Sequence, residues 1–261
     1  MNAPDPALDN PADAAVDNPA PDTALVRCAG VARTYGTGPG AVVAVTGATC
    51  AVLPGQSTAL VGPSGCGKST LLHLLAGLEY PTVGTVTWPS TGHSPWGRPR
   101  EVGVVFQGPS LLPHLDVTEN VALPLLLDGV PAAAARDRAR ESLDDLALGG
   151  LADALPDTLS GGQAQRVAIA RVLATRPRLV LADEPTGQLD GATGSHVVDV
   201  LLEAVARAGA AVVVSTHDPR VAHRFGQVWR MSGGQLRDRA EAVGPPGATD
   251  PAGRLLAERV G

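Results

Sequence analysis

GPSGCGKST, at Gly62–Thr70, is the stretch that decides the fold of this 261-residue chain. It follows the short apolar run Ser57–Val61, a predicted strand, and it opens a leucine-rich segment that begins at Leu71, a predicted helix. A strand, a glycine-rich turn and a helix in this order are typical of a phosphate-binding loop, or P-loop. Glycines allow backbone N–H groups to turn toward phosphate oxygens, and the helix N-terminus adds a positive end. The candidate phosphate-binding residues are Gly62, Pro63, Ser64, Gly65, Cys66, Gly67, Lys68, Ser69 and Thr70.

Two side chains of this loop indicate ATP and Mg²⁺ as the ligands. Lys68 offers a cation for the β- and γ-phosphates, and Ser69 offers a hydroxyl oxygen for Mg²⁺. Lys68 is also the only lysine among the 20 lysines and arginines of the chain. A lysine kept where every other such residue is arginine suggests a role that arginine does not fill, although an arginine-rich composition would also isolate it.

A second motif, LVLADE at Leu179–Glu184, is an apolar run that ends in two adjacent carboxylates. At the carboxyl edge of a parallel sheet such side chains face the ligand crevice. We expect Asp183 to hold the Mg²⁺ shell and Glu184 to accept a proton from the attacking water. Taken alone, the motif also fits a solvated strand end, and the P-loop beside it favours the catalytic interpretation.

A third motif, LSGGQ at Leu159–Gln163, stands directly before an amphipathic segment. Ser160 occupies the position of a helix N-cap, and the two glycines leave backbone donors open, so this is a second predicted anion-binding helix start. A plain N-cap would give the same pattern without the other motifs. The candidate residues here are Ser160, Gly161, Gly162 and Gln163.

Strand-like runs alternate with helix-like segments along the chain, which predicts an α/β fold with a mostly parallel sheet. The predicted strands are Ala41–Val45, Ser57–Val61, Val102–Phe106, Leu179–Ala182 and Ala211–Ser215. Between residues 107 and 176 the pattern is almost entirely helical. The predicted helices there are Val117–Leu127, Ala132–Leu148 and Gly162–Thr175. They predict a helical subdomain, at about residues 108–176, inserted into the sheet domain.

The two ends of the chain differ from its middle. Residues 1–24 are rich in Pro, Asp, Ala and Asn and contain no basic residue, so they bury too little apolar surface to offset the entropy of ordering. We predict a disordered acidic tail at 1–24, one folded domain at 25–240 and a C-terminal tail at 241–261.

Composition excludes several classes of protein. The net charge of −6 and the pI near 5.5 argue against a protein that mainly grips nucleic acid. Three cysteines, Cys28, Cys50 and Cys66, have no metal-ligand spacing, so we expect neither a disulfide framework nor a zinc site. No stretch reaches the roughly 18 apolar residues of a membrane span, and the N-terminus lacks a secretion signal. These features predict a cytosolic protein.

The three motifs, in this order, resemble the nucleotide-binding subunit of the ABC transporter superfamily, and the resemblance covers roughly Ala24 to Arg237. It implies a P-loop NTPase core, an N-terminal antiparallel β subdomain and an inserted helical subdomain. It also implies a head-to-tail dimer, in which the P-loop of one subunit and the LSGGQ loop of the other close on the same ATP. The implied partner is a separate membrane permease, which would place the subunit on the inner face of the cell membrane. No nucleic acid is expected as a partner.

Four further residues match family positions. Tyr35 in RTYGTG matches the aromatic residue that stacks on adenine, and Gln107 in VVFQG matches the glutamine that senses Mg²⁺ and the attacking water. Asp190 in PTGQLD resembles the loop that communicates between subunits. His217 in STHD matches the switch histidine that reaches the γ-phosphate. The resemblance implies Glu184, His217, Gln107 and Lys68 as catalytic residues, with Ser69, Gln107 and Asp183 around Mg²⁺.

The branch of the superfamily is less sharply indicated. ENVALPLLL, PTGQLD and STHDPRVA resemble the macrolide-export, lipoprotein-release and cell-division group. GPSGCGKST and the short connection Trp88–Glu101 also resemble importers of nitrate and sulfonates, and GQLD departs from the more usual GNLD. A soluble ABC ATPase of ribosomes or DNA is a third class, but it usually has tandem cassettes or a long coiled coil. A regulator that binds ATP without turnover would be expected to lack Glu184 or His217, and both are present.

Overall fold

A computed structural model describes residues 23–241. Of the predicted tails, residues 1–22 and 242–261 lie outside the described residues. The strands are β1 Val26–Tyr35, β2 Val42–Val52, β3 Ser57–Val61, β4 Val83–Thr87, β5 Val102–Val105, β6 Leu179–Asp183, β7 Ala211–Thr216, β8 Gln227–Ser232 and β9 Gln235–Glu241. The α-helices are α1 Lys68–Leu75, α2 Val117–Leu127, α3 Ala132–Asp145, α4 Gly161–Leu173, α5 Gly191–Arg207 and α6 Pro219–Ala222.

A six-stranded sheet with the order β5-β6-β7-β3-β8-β9 forms the centre of the fold. All neighbouring strands are parallel except β8 and β9, so the predicted mostly parallel sheet is confirmed. Strand β7 is buried along its whole length, as is typical of parallel strands covered on both faces. In the register, Asp183 pairs with Ser215, and Val61 pairs with Thr216. The carboxyl ends of β6, β7 and β3 therefore lie side by side.

A second sheet is antiparallel, with the order β2-β1-β4. The prediction that the run Ala41–Val45 belongs to the parallel alternation is wrong, because β2 pairs antiparallel with β1. The six residues between Tyr35 and Val42 are too few for the crossover that parallel neighbours need, so the chain can only turn back on itself. The antiparallel β region implied by the family resemblance is thus present at the N-terminal side of the described chain.

Helices α2, α3 and α4 lie in the chain between β5 and β6, which are neighbours in the sheet. Helix α2 coincides with its prediction. Helix α3 ends at Asp145, before the predicted Leu148, because Ala147 adopts a left-handed backbone with φ +55°. Helix α4 begins and ends one or two residues earlier than predicted.

The hydrophobic core has two parts, one on each face of the central sheet. On one face, α2 and α4 pack with β6 and α5, as Val121, Ile169, Val180 and Val197 belong to one buried cluster. On the other face, α1 and the antiparallel sheet enclose Leu71, Leu74 and Trp229 among other buried residues.

Within residues 23–241, no helix combines the length and apolar character needed to cross a bilayer. The subdomain limits at 108 and 176 stay a prediction.

Candidate functional site

The P-loop connects β3 to α1 and packs against the antiparallel sheet. Gly67 has φ +103° and caps α1, and a Cβ atom there would collide with the Ala44 carbonyl oxygen. A Cβ atom on Gly62 would collide with the Met231 carbonyl oxygen. The close approach of two backbones therefore requires glycine at both positions. The intervening residues Pro63, Ser64 and Gly65 are exposed.

Cys66 lies in the loop but turns its side chain inward. It is buried in the cluster under α1, and its Sγ would be 2.7 Å from a Cβ atom on Gly62. Its backbone N–H donates to the Pro63 carbonyl at 3.3 Å, and its own carbonyl accepts from Gly234 N–H at 3.1 Å. Because the side chain is buried, only the backbone of Cys66 is placed to contact a nucleotide, and that contact stays a prediction.

Lys68 connects the loop to the carboxylates at the end of β6. Its Nζ donates to the carbonyls of Gly62 at 3.0 Å and Pro63 at 3.1 Å, and lies 3.1 Å from Glu184 Oε1. The side chain is only 4% exposed. These three acceptors match the three donors of an ammonium group, so burial leaves its charge fully compensated.

Glu184 stands between a buried lysine and an exposed histidine. Its Oε2 lies 3.4 Å from His217 Nδ1, while Oε1 faces Lys68. The Glu184 side chain is 19% exposed and the His217 side chain is 63% exposed, so this row of groups leads from the core to solvent. The backbone of Glu184 has φ +41°, a left-handed conformation that is costly for a residue with a side chain.

Ser215 is a site residue that sequence reasoning missed. Its hydroxyl accepts from Glu184 N–H at 2.8 Å and donates to Asp183 Oδ1 at 2.6 Å, and the residue is fully buried. One group therefore fixes both members of the carboxylate pair. The available signal was a serine at the end of the apolar run Ala211–Thr216, but only the register of β6 and β7 shows what it faces.

Gln107 and Asp190 border the same region. A Cβ atom on Gly187 would be 3.3 Å from Gln107 Nε2 and 3.5 Å from Glu184 Oε2, so the amide and the carboxylate flank this glycine. Asp190 caps α5 and accepts from the N–H groups of Ala192 and Thr193, each at 3.1 Å. Hydrogen bonding from Thr193, by side chain and then backbone, lowers the pKa of Asp190. A cavity of about 300 Å³ is lined by Glu184, Gly187, Asp190 and His217, among others.

The predicted Mg²⁺ ligands are oxygen donors around this edge of the sheet. Ser69 is exposed in the first turn of α1, and Asp183 ends β6 with Oδ1 engaged by Ser215 and a second carboxylate oxygen for a metal ion. Mg²⁺ typically takes one or two protein oxygens and completes its shell with waters and substrate phosphates. The donor set therefore fits Mg²⁺, and its binding here stays a prediction.

The LSGGQ residues form a complete N-terminal cap on α4. Ser160 N–H donates to Gln163 Oε1 at 2.8 Å, and Gln163 N–H donates to Ser160 Oγ at 3.3 Å. Ser160 is exposed, and its hydroxyl proton stays available to a ligand. A Cβ atom on Gly162 would collide with the Thr193 side chain, whereas one on Gly161 would make a tight contact, 3.3 Å from Leu189 Cδ2. Among the described residues, the cavity beside Glu184 is not lined by any part of Ser160–Gln163.

Tyr35 ends β1 in the antiparallel sheet, whereas Asp183 and Glu184 stand at the end of β6 in the central sheet. The Arg33 guanidinium carbon is 4.6 Å from the centroid of the Tyr35 ring, and Arg33 also pairs with Glu79 at 2.7 Å. Val42 and Val43, which pair with Tyr35 and Thr34 across the hairpin, are more than half exposed. Stacking of Tyr35 on adenine stays a prediction, and it would use the ring face that Arg33 does not cover.

Comparison with known proteins identifies the family of this chain. Residues 45–187 match the ABC transporter family. The chain belongs to that family. Two relatives are each named lipoprotein-releasing system ATP-binding protein LolD. The relative from Nitratidesulfovibrio vulgaris is 42% identical over 226 residues, covering 84% of this chain and 97% of that protein. The relative from Xanthomonas euvesicatoria is 39% identical over 238 residues, covering 88% and 98%.

A solved structure shares the fold. The ATP-binding cassette MJ0796, described as the dimer of a post-hydrolysis state bound to ADP and Pi, superposes with a TM-score of 0.75. It is 34% identical, with 84% of this chain and 99% of that chain covered. The predicted P-loop fold, the ABC ATP-binding identity and the resemblance to the lipoprotein-release group are confirmed. This ABC ATPase is a nucleotide-binding, ATP-hydrolysing transporter subunit, and these relatives do not favour the importer alternative.

Proposed function

We propose that this ABC ATPase drives the extraction of lipid-modified proteins from a membrane by a separate permease. The names of its relatives and the almost complete coverage of their length support this proposal. The single observation that carries the catalytic part is the row formed by Lys68, Glu184 and His217, with separations of 3.1 and 3.4 Å, at the end of the P-loop.

Each group of the row has a distinct role. Lys68, now held by Glu184 and two carbonyls, binds the β- and γ-phosphates once a nucleotide enters the loop. Glu184 is then released to accept a proton from the attacking water, and His217 approaches the γ-phosphate from the solvent side. Bound Mg²⁺, held by Ser69 and Asp183 with Gln107 nearby, would neutralise phosphate charge.

The second subunit completes the site in this proposal. Ser160–Gln163 offers an exposed helix start with an available hydroxyl proton, yet it does not line the cavity beside Glu184. A head-to-tail dimer supplies this anion-binding start from the partner, and each Asp190 then lies at the interface between the two subunits. The proposed folded unit is 25–240, with its helical subdomain at about 108–176.

The permease docks on an apolar groove in this proposal. A groove of about 410 Å³ lies between the segment before β5 and helix α2, and it is lined by Leu78, Trp96, Pro124 and Leu127 among others. Trp96 and Leu127 are 66% and 80% exposed, which is unusual for side chains of this size. Docking there would hold the subunit at the cytoplasmic face of the membrane.

The test is reconstitution of the complex, isolated with its permease, into lipid vesicles. Mg·ATP hydrolysis should rise when a lipid-modified protein is added and should stay unchanged with nitrate or a sulfonate; the reverse response would support the importer alternative. A complex carrying Glu184→Gln should show no stimulated hydrolysis. Leu127→Asp should prevent co-isolation of the permease, while the purified Leu127→Asp subunit should still hydrolyse ATP.

A further inference from the structure

Two side chains of α4 bond the backbone on both sides of Gln107. Gln165 is buried, and its Nε2 donates to the carbonyl of Phe106 at 3.2 Å. Arg171 donates from Nη1 to the Ser110 carbonyl at 2.8 Å and from Nη2 to the Pro109 carbonyl at 3.1 Å. The helix that begins at the LSGGQ motif therefore holds the residue directly before Gln107 and the residues two and three positions after it.

The guanidinium of Arg171 contributes more than packing to the contact with residues 109 and 110. Burial lowers the pKa of the Arg171 guanidinium, because desolvation disfavours its charged form. Its two donors compensate by bonding carbonyls of one short segment, where Ser110 has φ +47°. An apolar residue would fill the same space without constraining that strained backbone.

The far end of the same segment is also fixed. Asn120 of α2 is fully buried, and the two N–H donors of its Nδ2 are shared among the carbonyls of Leu112, Leu115 and Asp116 at 2.8 to 3.0 Å. Its Oδ1 accepts from Leu112 N–H at 2.8 Å. Six of the residues 106–116 thus have backbone groups bonded to side chains of α4 or α2, and these bonds lie on both sides of Gln107. They limit the movement of Gln107 relative to α4.

We infer that Gln165 and Arg171 are positioning residues that tie Gln107 to α4, so that any movement of Ser160–Gln163 is transmitted to Gln107. This inference rests on the proposed roles of the two motifs. In a head-to-tail dimer, Ser160 contacts the partner's ATP while Gln107 serves the ATP of its own subunit. Helix α4 would therefore report the occupancy of one nucleotide site to the other.

The first experiment measures hydrogen exchange of the nucleotide-free protein, so it does not depend on the proposed function. Arg171→Met and Gln165→Met should raise amide exchange within residues 106–116 by about tenfold, without raising it in β6 or β7. The matched control is Arg166→Met, because Arg166 lies on the same helix and donates to the Leu146 carbonyl at 3.2 Å, outside this segment. Equal exchange in wild type and Arg171→Met would overturn the inference, and so would an increase spread over the whole domain.

The second experiment is a double-mutant cycle for ATP hydrolysis. Arg171→Met should lower kcat by about tenfold but change the affinity for a fluorescent ATP analogue less than about twofold, because the P-loop is untouched. Added to Gln107→Ala, it should cost almost nothing further, since it acts through Gln107. Arg166→Met should leave kcat unchanged. Full additivity of the two substitutions would overturn the inference. A wild type without any hydrolysis would instead contradict the ATPase assignment, and the hydrogen-exchange experiment alone would then test the link between α4 and Gln107.

Discussion

Ser215 holds two neighbouring residues with one hydroxyl. It bonds Asp183 Oδ1 and Glu184 N–H, and it stabilises the left-handed backbone of Glu184. In Ser215→Ala, both groups lose a buried partner, so we expect a loss of about 1 to 3 kcal/mol in the free energy of unfolding and at least about a tenfold fall in kcat.

Urea unfolding and steady-state ATP hydrolysis measure the two effects of Ser215→Ala. Ser215→Thr keeps the hydroxyl and is the matched control, with activity expected near wild type. An alanine variant with unchanged kcat would show that the Glu184 backbone keeps its position without this serine.

A second prediction at the residue scale concerns Lys68, the buried end of the row. Lys68→Ala removes the cation that faces the phosphates, and we expect affinity for ATP to fall by about 30-fold or more. Titration with a fluorescent ATP analogue measures this, and circular dichroism checks the fold. Arg178→Ala is the control, because it removes a cation that pairs with Glu101 at 3.7 Å in another part of the domain. Near-normal affinity in Lys68→Ala would contradict the phosphate role.

Local patterns predicted Lys68 and Glu184 but not the residues that hold Glu184 and the segment around Gln107. Lys68 and Glu184 belong to motifs that are contiguous in sequence, so their neighbours identify them. Ser215, Gln165 and Arg171 act on partners that are 31 to 62 residues away, and those pairings depend on strand register and helix packing. A single sequence carries no signal for either.

Helix α2 begins with a reciprocal cap that the sequence DVTE encodes. Asp116 Oδ1 accepts from Glu119 N–H at 2.7 Å, and Glu119 Oε2 accepts from Asp116 N–H at 3.0 Å. Asp116→Ala should lower the free energy of unfolding by about 1 kcal/mol, because it leaves an N-terminal donor unpaired. Urea unfolding tests this, and Asp116→Asn should recover most of the loss. Equal stability of the alanine variant would mean that water replaces the cap.

The predicted limits of helices and strands were correct where residues in the local sequence mark both ends of the element. Helix α2 and strand β3 match their predicted limits, since a cap starts the first and glycines bound the second. The run Ala41–Val45 was placed in the wrong sheet, because partner choice depended on the long β1 strand that the pattern did not reveal. Strands β1, β4, β8 and β9 contain exposed or polar positions, so no apolar run marked them.

At the scale of the whole molecule, four parallel neighbours bring separate motifs to one edge. Strands β5, β6, β7 and β3 adjoin in that order, and they are followed by Gln107, Glu184, His217 and the P-loop. The LSGGQ loop is the exception, since it starts a helix beside α5 and does not line the cavity of Glu184. A single subunit thus contains two predicted anion-binding helix starts at different places, an arrangement that the proposed head-to-tail dimer would use fully.

The proposed dimer gives the last prediction, which concerns Glu184→Gln. The amide keeps the shape of the carboxylate but cannot take a proton from water, so hydrolysis should fall by about two to four orders of magnitude. ATP that is not consumed continues to favour association, because it binds the paired subunits better than the separate ones. Light scattering with Mg·ATP should therefore detect a dimer that persists, and removal of Mg·ATP should return monomers.

A second substitution tests whether the interface of that dimer includes the LSGGQ motif. Ser160→Arg, added to Glu184→Gln, places a long cation where the proposed partner nucleotide contacts the start of α4, so the doubly substituted protein should stay monomeric while each subunit still binds ATP. The exposed position of Ser160 means that the arginine can be accommodated without unfolding the monomer. A dimer that survives Ser160→Arg would exclude the head-to-tail arrangement, and wild-type hydrolysis by Glu184→Gln would exclude Glu184 as the general base.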